Sequence, residues 1–281
     1  MHSNKKAPKT ISGSISFNII VWTTSILFIL FFIVPILRLL LYDSPRYLLS
    51  QFLSPVNLEG IKITLLAATV STVIVVIFGF PLAYILARYQ FIGKKMIDAI
   101  VELPIMIPHT VVGIALLLVF AKSEPAGPLL SRFGLSFGYS MLAIVMAYMF
   151  VSGTYAIKTM EEAIKSVHPR IELVARTLGA SQWQVVRMII IPQISRSILT
   201  GGILSWGRAM SEVAAIMIVA PYVIPTYHQI AGIEVYNQFV STGMKGAVGL
   251  SAVLIIISLI ILIVLKVIQY QKIFYMPGVE R

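Results

Sequence analysis

The sequence predicts an all-α integral membrane protein with six transmembrane helices and both termini in the cytoplasm. Three observations lead there: a composition too apolar for a soluble domain, six apolar runs of bilayer-spanning length, and a one-sided distribution of Lys and Arg. Of 281 residues, 58% are hydrophobic and 12% are charged, with a mean hydropathy of +0.92. A soluble domain carries about 25% charged residues, and about 20 apolar residues cross the hydrocarbon core as a helix. The chain has no cysteine, which excludes disulfides, thiolate metal sites and cysteine nucleophiles. One membrane domain over residues 1–281 is expected.

The apolar runs cover residues 18–42, 61–87, 97–121, 139–157, 198–220 and 247–268. The first follows a basic start, as a signal peptide would. Its run is far longer than a signal core of about 7–15 residues and no small-x-small site follows, so it reads as an uncleaved helix. Pro and Gly interrupt the third and fourth, which is tolerated where neighbouring helices re-satisfy the freed backbone groups. Pro104 and Pro108 remove two helix hydrogen bonds one turn apart, so the third run should bend or open. The fifth contains Arg208 and Glu212, four apart and therefore on one helix face. A charge at the bilayer centre costs about 2.5–3.5 kcal/mol on insertion scales, so this pair should face protein or water. Glu102 reads as an interfacial packing residue, and His109 and His228 as packing or surface residues. Trp22, Tyr42, Tyr89, Tyr139 and Tyr270 stand near run ends, where aromatic rings anchor at the interface.

With the N-terminus inside, the positive residues sort by side. The inside set is Lys5, Lys6, Lys9, Arg88, Lys94, Lys95, Lys158, Lys165, Arg170, Arg176, Arg187, Arg196, Lys266, Lys272 and Arg281. The outside set is Arg38, Arg46, Lys62, Lys122, Arg132 and Lys245. Fifteen against six fixes the expected orientation and puts a loop over residues 159–195 in the cytoplasm. The net charge of +11 is then a consequence of topology, and nucleic acid is not expected as a partner.

That loop has its own turn chemistry. Pro169 suits the first turn of a helix, where its missing N–H has no partner to lose. Residues 170–178 read as about two helical turns, ended by Gly179 in the left-handed position just past a helix end. Ser181 with Gln184 three residues later is a capping-box spacing. A second helix follows, carrying Trp183, Val185, Val186, Met188 and Ile189 up to Pro192. So short a surface helix needs a supporting surface. That surface is either a separate partner or the chain's own bundle.

Residues 170–192, RIELVARTLGASQWQVVRMIIIP, resemble the EAA loop of ABC importer permeases, the coupling helix element that grips a separate cytoplasmic ATPase. Glu172, Ala175, Gly179, Ile189, Ile191 and Pro192 carry the match, while Leu173 and Val174 stand where the family more often has Glu and Ala. Residues 78–113 are similar to the second and third helices of oxyanion permeases through Gly79, Pro81, Ala83, Tyr84, Leu103, Pro104, Pro108, Thr110, Val111 and Gly113. His109 stands where the family frequently has Pro. The stretch WGRAMSEVAA, residues 206–215, looks like the Ala-Arg-Ala-x-[Gly/Ser]-Glu segment of molybdate, tungstate and sulfate permeases.

The overall resemblance is closest to molybdate/tungstate permeases and implies a type I ABC importer permease fold in the cell membrane. It implies ATPase docking by Pro169, Arg170, Glu172, Ala175, Arg176, Leu178, Gly179 and Ala180. It also implies a translocation path or gate near Pro108, Thr110, Gly113, Ser205, Arg208, Ser211 and Glu212. The expected partners are a cytoplasmic ABC ATPase dimer, a second permease copy (a homodimer), an extracytoplasmic oxyanion-binding protein and membrane lipid. Sulfate and phosphate permeases share much of the pattern.

No Gly-x-x-x-x-Gly-Lys-Ser/Thr phosphate loop is present, so ATP and Mg are expected on the partner ATPase and no cofactor on this chain. No HExxH or Gly-x-Ser-x-Gly signature suits an intramembrane hydrolase, so the chain is not expected to be an enzyme. The alternative class, an ion-coupled secondary transporter, calls for inverted repeats and several mid-depth ionisable residues. One pair, Arg208 and Glu212, is all the sequence offers it.

Overall fold

The computed structural model describes residues 15–274 and, at 268 and 270–274, the backbone alone. Lys5, Lys6, Lys9 and Arg281 of the charge count lie outside the described residues, as do the termini and the side chains of Tyr270 and Lys272. The regular elements among the described residues are helices, apart from one isolated bridge between Val223 and His228.

The first run forms α1 (Ile15–Leu40), in which no residue is buried. A short α2 (Pro45–Leu53) starts on Ser44, whose side chain accepts from the Tyr47 N–H, and leads into α3 (Pro55–Arg88). The third run is α4 (Lys94–Met106) and α5 (His109–Phe120), which meet at 119°. Then come α6 (Gly127–Arg132), α7 (Met141–Ser166), α8 (Pro169–Thr177) and α9 (Gln182–Val185). A π-helical turn (Val186–Ile190) joins α9 to α10 (Ile191–Met210). The chain ends in α11 (Ala214–Val219), α12 (Ala231–Thr242) and α13 (Met244–Phe274).

Three helices, α3, α7 and α10, make the frame. Buried positions recur every four residues on α3 (Ala67, Ser71, Val75, Gly79, Ala83) and on α10 (Gly201, Ser205, Ala209). Small side chains at this spacing let helix backbones approach closely in lipid, where van der Waals packing and not water drives association. A Cβ on Gly79 would come within 2.8 Å of the Ile157 side chain, and one on Gly201 within 3.2 Å of the Ala156 carbonyl oxygen, both on α7. The buried Ser205 hydroxyl donates to Ser152 on α7 at 3.0 Å, and Ser152 donates to the Tyr148 carbonyl at 2.7 Å.

Boundaries of the fourth and fifth runs differ from the sequence expectation. The fourth helix does not stop at 157 but runs to Ser166. Its added turns carry charge that is paired: Lys158 lies 2.8 Å from Glu161, 2.6 Å from Asp98 and 3.0 Å from Glu102, the last two on α4. An apolar window ends where charges begin, whereas a helix continues while they are satisfied. The fifth helical segment begins at Gln182 instead of 198, because Pro192 does not end it. In the π turn the Ile191 N–H reaches the Val186 carbonyl, one residue beyond the usual partner, and the proline then sits in the first turn of α10. The expected 159–195 loop therefore shrinks to the segment between Ser166 and Gln182. At its far end the fifth segment breaks after Met210 and does not run to 220. Arg208 and Glu212 thus face each other across a helix end, not along one helix face.

The third run bends more sharply than two prolines inside one helix would require. Pro104 stays within α4, and the break falls at Ile107–Pro108, where Pro108 becomes the residue that starts α5. The helices beyond the two breaks, α5 and α11, then pack on each other through Gly113. A Cβ there would come within 2.7 Å of both the Ala215 carbonyl oxygen and the Ile218 Cβ. Replacing Gly113 by Val should cost about 1–3 kcal/mol of stability, the usual penalty for overpacking. A thermal or denaturant midpoint of the purified protein in detergent equal to wild type would contradict this contact.

Candidate functional site

Two places combine exposed and polar features, and they lie on different parts of the frame. The first is α8. His168 caps its start, with Nδ1 accepting from the Arg170 N–H at 3.2 Å. At its end the Ala180 N–H reaches back to the Ala175 carbonyl and Leu178 to Val174, with Gly179 at φ +92°. That is the left-handed termination in which a side chain would be strained. Ser181 and Gln184 then satisfy each other's backbone N–H groups at 3.2 and 2.7 Å, opening α9 with both halves of a capping box.

Side-chain placement on α8 departs from the sequence expectation at Glu172. Its carboxylate accepts from Arg88 Nε at 2.6 Å and from the Tyr84 hydroxyl at 3.3 Å, and its side chain is only 13% exposed. Arg88 also donates to the Val167 carbonyl at 2.8 Å, and Gln182 donates to the hydroxyls of Tyr84 and Tyr89. Glu172 therefore ties α8 to the end of α3 and does not face outward. Ala175 and Ala180 are half-buried against the same cluster. Pro169, Arg170, Arg176, Leu178 and Gly179 remain exposed. So do Leu173 at 59% and Val174 at 58%, the two departures from the EAA pattern. Beside them, Leu178, Gly179, Ala180, Gln184, Val185 and Met188 line an open concavity of about 540 Å³.

The second place is where the two broken segments meet. Glu212, whose side chain is 1% exposed, receives three donors: His109 Nδ1 at 2.6 Å, Arg208 at 3.1 Å and the Ala215 N–H at 2.8 Å. Arg208 also lies 2.8 Å from His109 Nε2 and donates to the Ser211 hydroxyl at 2.9 Å. The same Arg208 nitrogen lies 2.7 Å from His109 Nδ1, so it rests against the ring as a whole and not on one ring nitrogen. The imidazole is thus held between a cation and an anion. Pro108, Thr110 and Ser211 are exposed next to this cluster. Ser205 and Gly113, grouped with them from the sequence, point into the bundle instead, against Ser152 and α11 respectively.

His109 is the residue the sequence reasoning missed. A lone packing or surface histidine by sequence, it bridges Arg208 and Glu212 from 99 and 103 positions away. The usable signal was a polar side chain inside an apolar run, costly unless paired. His228, by contrast, takes part in the isolated bridge with Val223. A separate apolar groove of about 590 Å³ lies between α3, α10 and α13 and includes Thr69, Gly202 and Trp206. Among the described residues no group of three or more His, Asp and Glu is placed to hold a metal ion.

Residues 79–271 match the family described as the binding-protein-dependent transport system inner membrane component. The chain is 38% identical over 212 residues to a molybdate/tungstate transport system permease protein of Thermococcus kodakarensis, covering 75% of this chain and 78% of that one. A protein of the same description from Methanocaldococcus jannaschii is 34% identical over 89% of this chain and 96% of its own length. A probable sulfate transport system permease protein of Zygnema circumcarinatum is 31% identical over 87% and 85%. Among solved structures, a bacterial ABC transporter involved in import of the acidic polysaccharide alginate superposes with a TM-score of 0.70 at 20% identity. It covers 91% of this chain and 95% of that chain. The same kind of transporter in complex with an alginate-bound periplasmic protein gives a TM-score of 0.67 at 21% identity, over 89% and 91%. With the family match spanning well over half of its length, this multi-pass inner-membrane chain belongs to the binding-protein-dependent transport system inner membrane components and has the fold of an ABC importer permease.

Proposed function

We propose that this permease subunit carries a tetrahedral oxyanion, molybdate or tungstate, through a homodimer driven by separate ATPase subunits. The observation that carries the coupling half of this reading is α8: a short helix, capped at both ends, pinned by Arg88–Glu172 and presenting Leu173, Val174 and Leu178 outward. The identity to molybdate/tungstate permeases supports the choice of cargo. The sulfate permease relative favours sulfate as the second reading.

In this reading α8 and both termini lie on the cytoplasmic side. The exposed residues Pro169, Arg170, Arg176, Leu178 and Gly179 meet the ATPase, and Ala175 and Ala180 support them from behind. ATP binding draws two ATPases together and moves α8. Because Glu172 holds Arg88, the displacement passes to α3 and from there to the packed frame. Only a partner that binds one conformation better than the other can shift the equilibrium, and ATP supplies that difference. Pro108, Thr110, Arg208 and Ser211 stand at the face where a second copy would complete the path. An extracytoplasmic binding protein selects and delivers the oxyanion.

Gly179→Arg should abolish both ATP-driven uptake and ATPase co-purification while leaving membrane insertion intact. Undiminished co-purification would remove the docking assignment. Glu172→Gln should behave differently. The ATPase stays bound, while uptake falls by about tenfold, the scale of one weakened hydrogen bond to a charged group. Equal uptake in that variant would mean that the Arg88 tie transmits nothing. For the cargo, proteoliposomes holding permease, ATPase and cognate binding protein should accumulate labelled molybdate, with tungstate competing and excess sulfate not. Competition by sulfate instead would select the second reading.

A further inference from the structure

Glu212 and its three donors sit between two helix breaks that are far apart in sequence. The third segment is interrupted at Ile107–Pro108, immediately before His109, and the fifth between Met210 and Ala214, around Glu212. Each break releases backbone groups that lipid cannot satisfy. At the fifth, the Glu212 N–H returns to the Ala209 carbonyl at 3.0 Å, while its carboxylate takes the Ala215 N–H at the start of α11. The same carboxylate takes His109 Nδ1–H from the first residue of α5. One buried group therefore fastens the starts of both helices beyond the breaks. One turn further along, the missing Cβ of Gly113 lets α5 seat directly on Ala215 and Ile218 of α11. At the far end the Val219 carbonyl accepts from the Tyr139 N–H at 3.0 Å and the Phe120 ring lies 5.5 Å from Phe137, just before α7.

We propose that His109, Glu212 and Arg208 form a clasp that makes α5 and α11 a single moving gate element, with His109 as its positioning residue. The element is anchored near the start of α7, and at its other end the clasp ties it to Arg208 on α10, beside the exposed Pro108, Thr110 and Ser211. The charges suit this use. Arg208 and Glu212 carry opposite charges and His109 touches both, so the three side chains form one closed polar unit. A simple apolar contact would let α5 and α11 slide; a carboxylate shared by His109 and the Ala215 N–H does not. This inference rests on the importer reading, because a gate has a meaning only in a transport cycle.

The test uses the full complex in nanodiscs or proteoliposomes, with wild type, His109→Ala and His109→Asn. Asn places an amide donor near the position of Nδ1. In the wild type, amide exchange at residues 109–120 and 214–219 should change together between nucleotide-free and ATP-bound states. In His109→Ala the two segments should respond separately, and uptake per ATP hydrolysed should fall by about tenfold, the scale of one lost hydrogen bond to a charged group. His109→Asn should restore most of both. If His109→Ala keeps wild-type uptake per ATP and joint exchange, the clasp is wrong. If His109→Ala fails to assemble, the wild-type exchange pattern and the Asn variant decide: independent exchange of the two segments in wild type also overturns it. A wild-type complex without ATP-driven uptake would instead defeat the importer reading, leaving joint exchange of the two segments as the measure of the clasp.

Discussion

The close approach of α3, α7 and α10 is the constraint on which the other elements depend. In lipid there is no hydrophobic gain from helix pairing, so contact distance decides whether helices hold together. The four-residue rows ending at Ala83 on α3 and at Ala209 on α10 provide that distance, and Ser205 and Ser152 add a satisfied polar contact within it. Everything with a proposed moving role is mounted on this frame by charge. Arg88 and Glu172 hold α8 to α3, Lys158 holds α4 to α7, and Glu212 holds α5 and α11 to the end of α10. Packing makes the fixed part and ion pairs make the attachments.

Much of this was legible in the sequence where one local rule governs a residue. Pro169, Gly179, Ser181 and Gln184 were read as helix start, helix end and capping box, and the structure has them in those positions. The six apolar runs likewise correspond to helical segments, two of them broken. Errors came wherever a distant residue decided the outcome. The extension of α7 past 157 depends on Asp98 and Glu102, sixty and fifty-six positions back along the chain from Lys158. Pro192 looked like a terminator because its carbonyl accounting is rescued only by a π turn. Glu172, grouped with the docking residues by resemblance, is turned inward by Arg88 eighty-four positions earlier. His109 could not be joined to Arg208 and Glu212 without knowing that both runs break at the same place.

Those two breaks meet at a deeply buried carboxylate. A carboxylate as deeply buried as Glu212 is stable only when its oxygens are fully engaged, and removing one partner of a buried pair costs more than the pair itself contributes. The site accepts that cost while joining helix starts that the breaks would otherwise leave unsatisfied. Pro108 contributes by needing no N–H partner of its own. Fold and candidate gate are therefore coupled at one carboxylate.

The inward turn of Glu172 has a consequence for how this subunit would recognise another protein. With its acid committed to Arg88, α8 offers a neighbour an aliphatic ridge (Leu173, Val174, Leu178) bordered by two positive charges at Arg170 and Arg176. Shape fit on such a ridge survives high ionic strength, whereas a contact built on the acid would be screened within about 10 Å at 0.1 M salt. Pairing fidelity among several similar ATPases in one cell would then be a matter of steric matching at residues 173 and 174. It would drift with single changes in side-chain volume there, and much less with changes of surface charge.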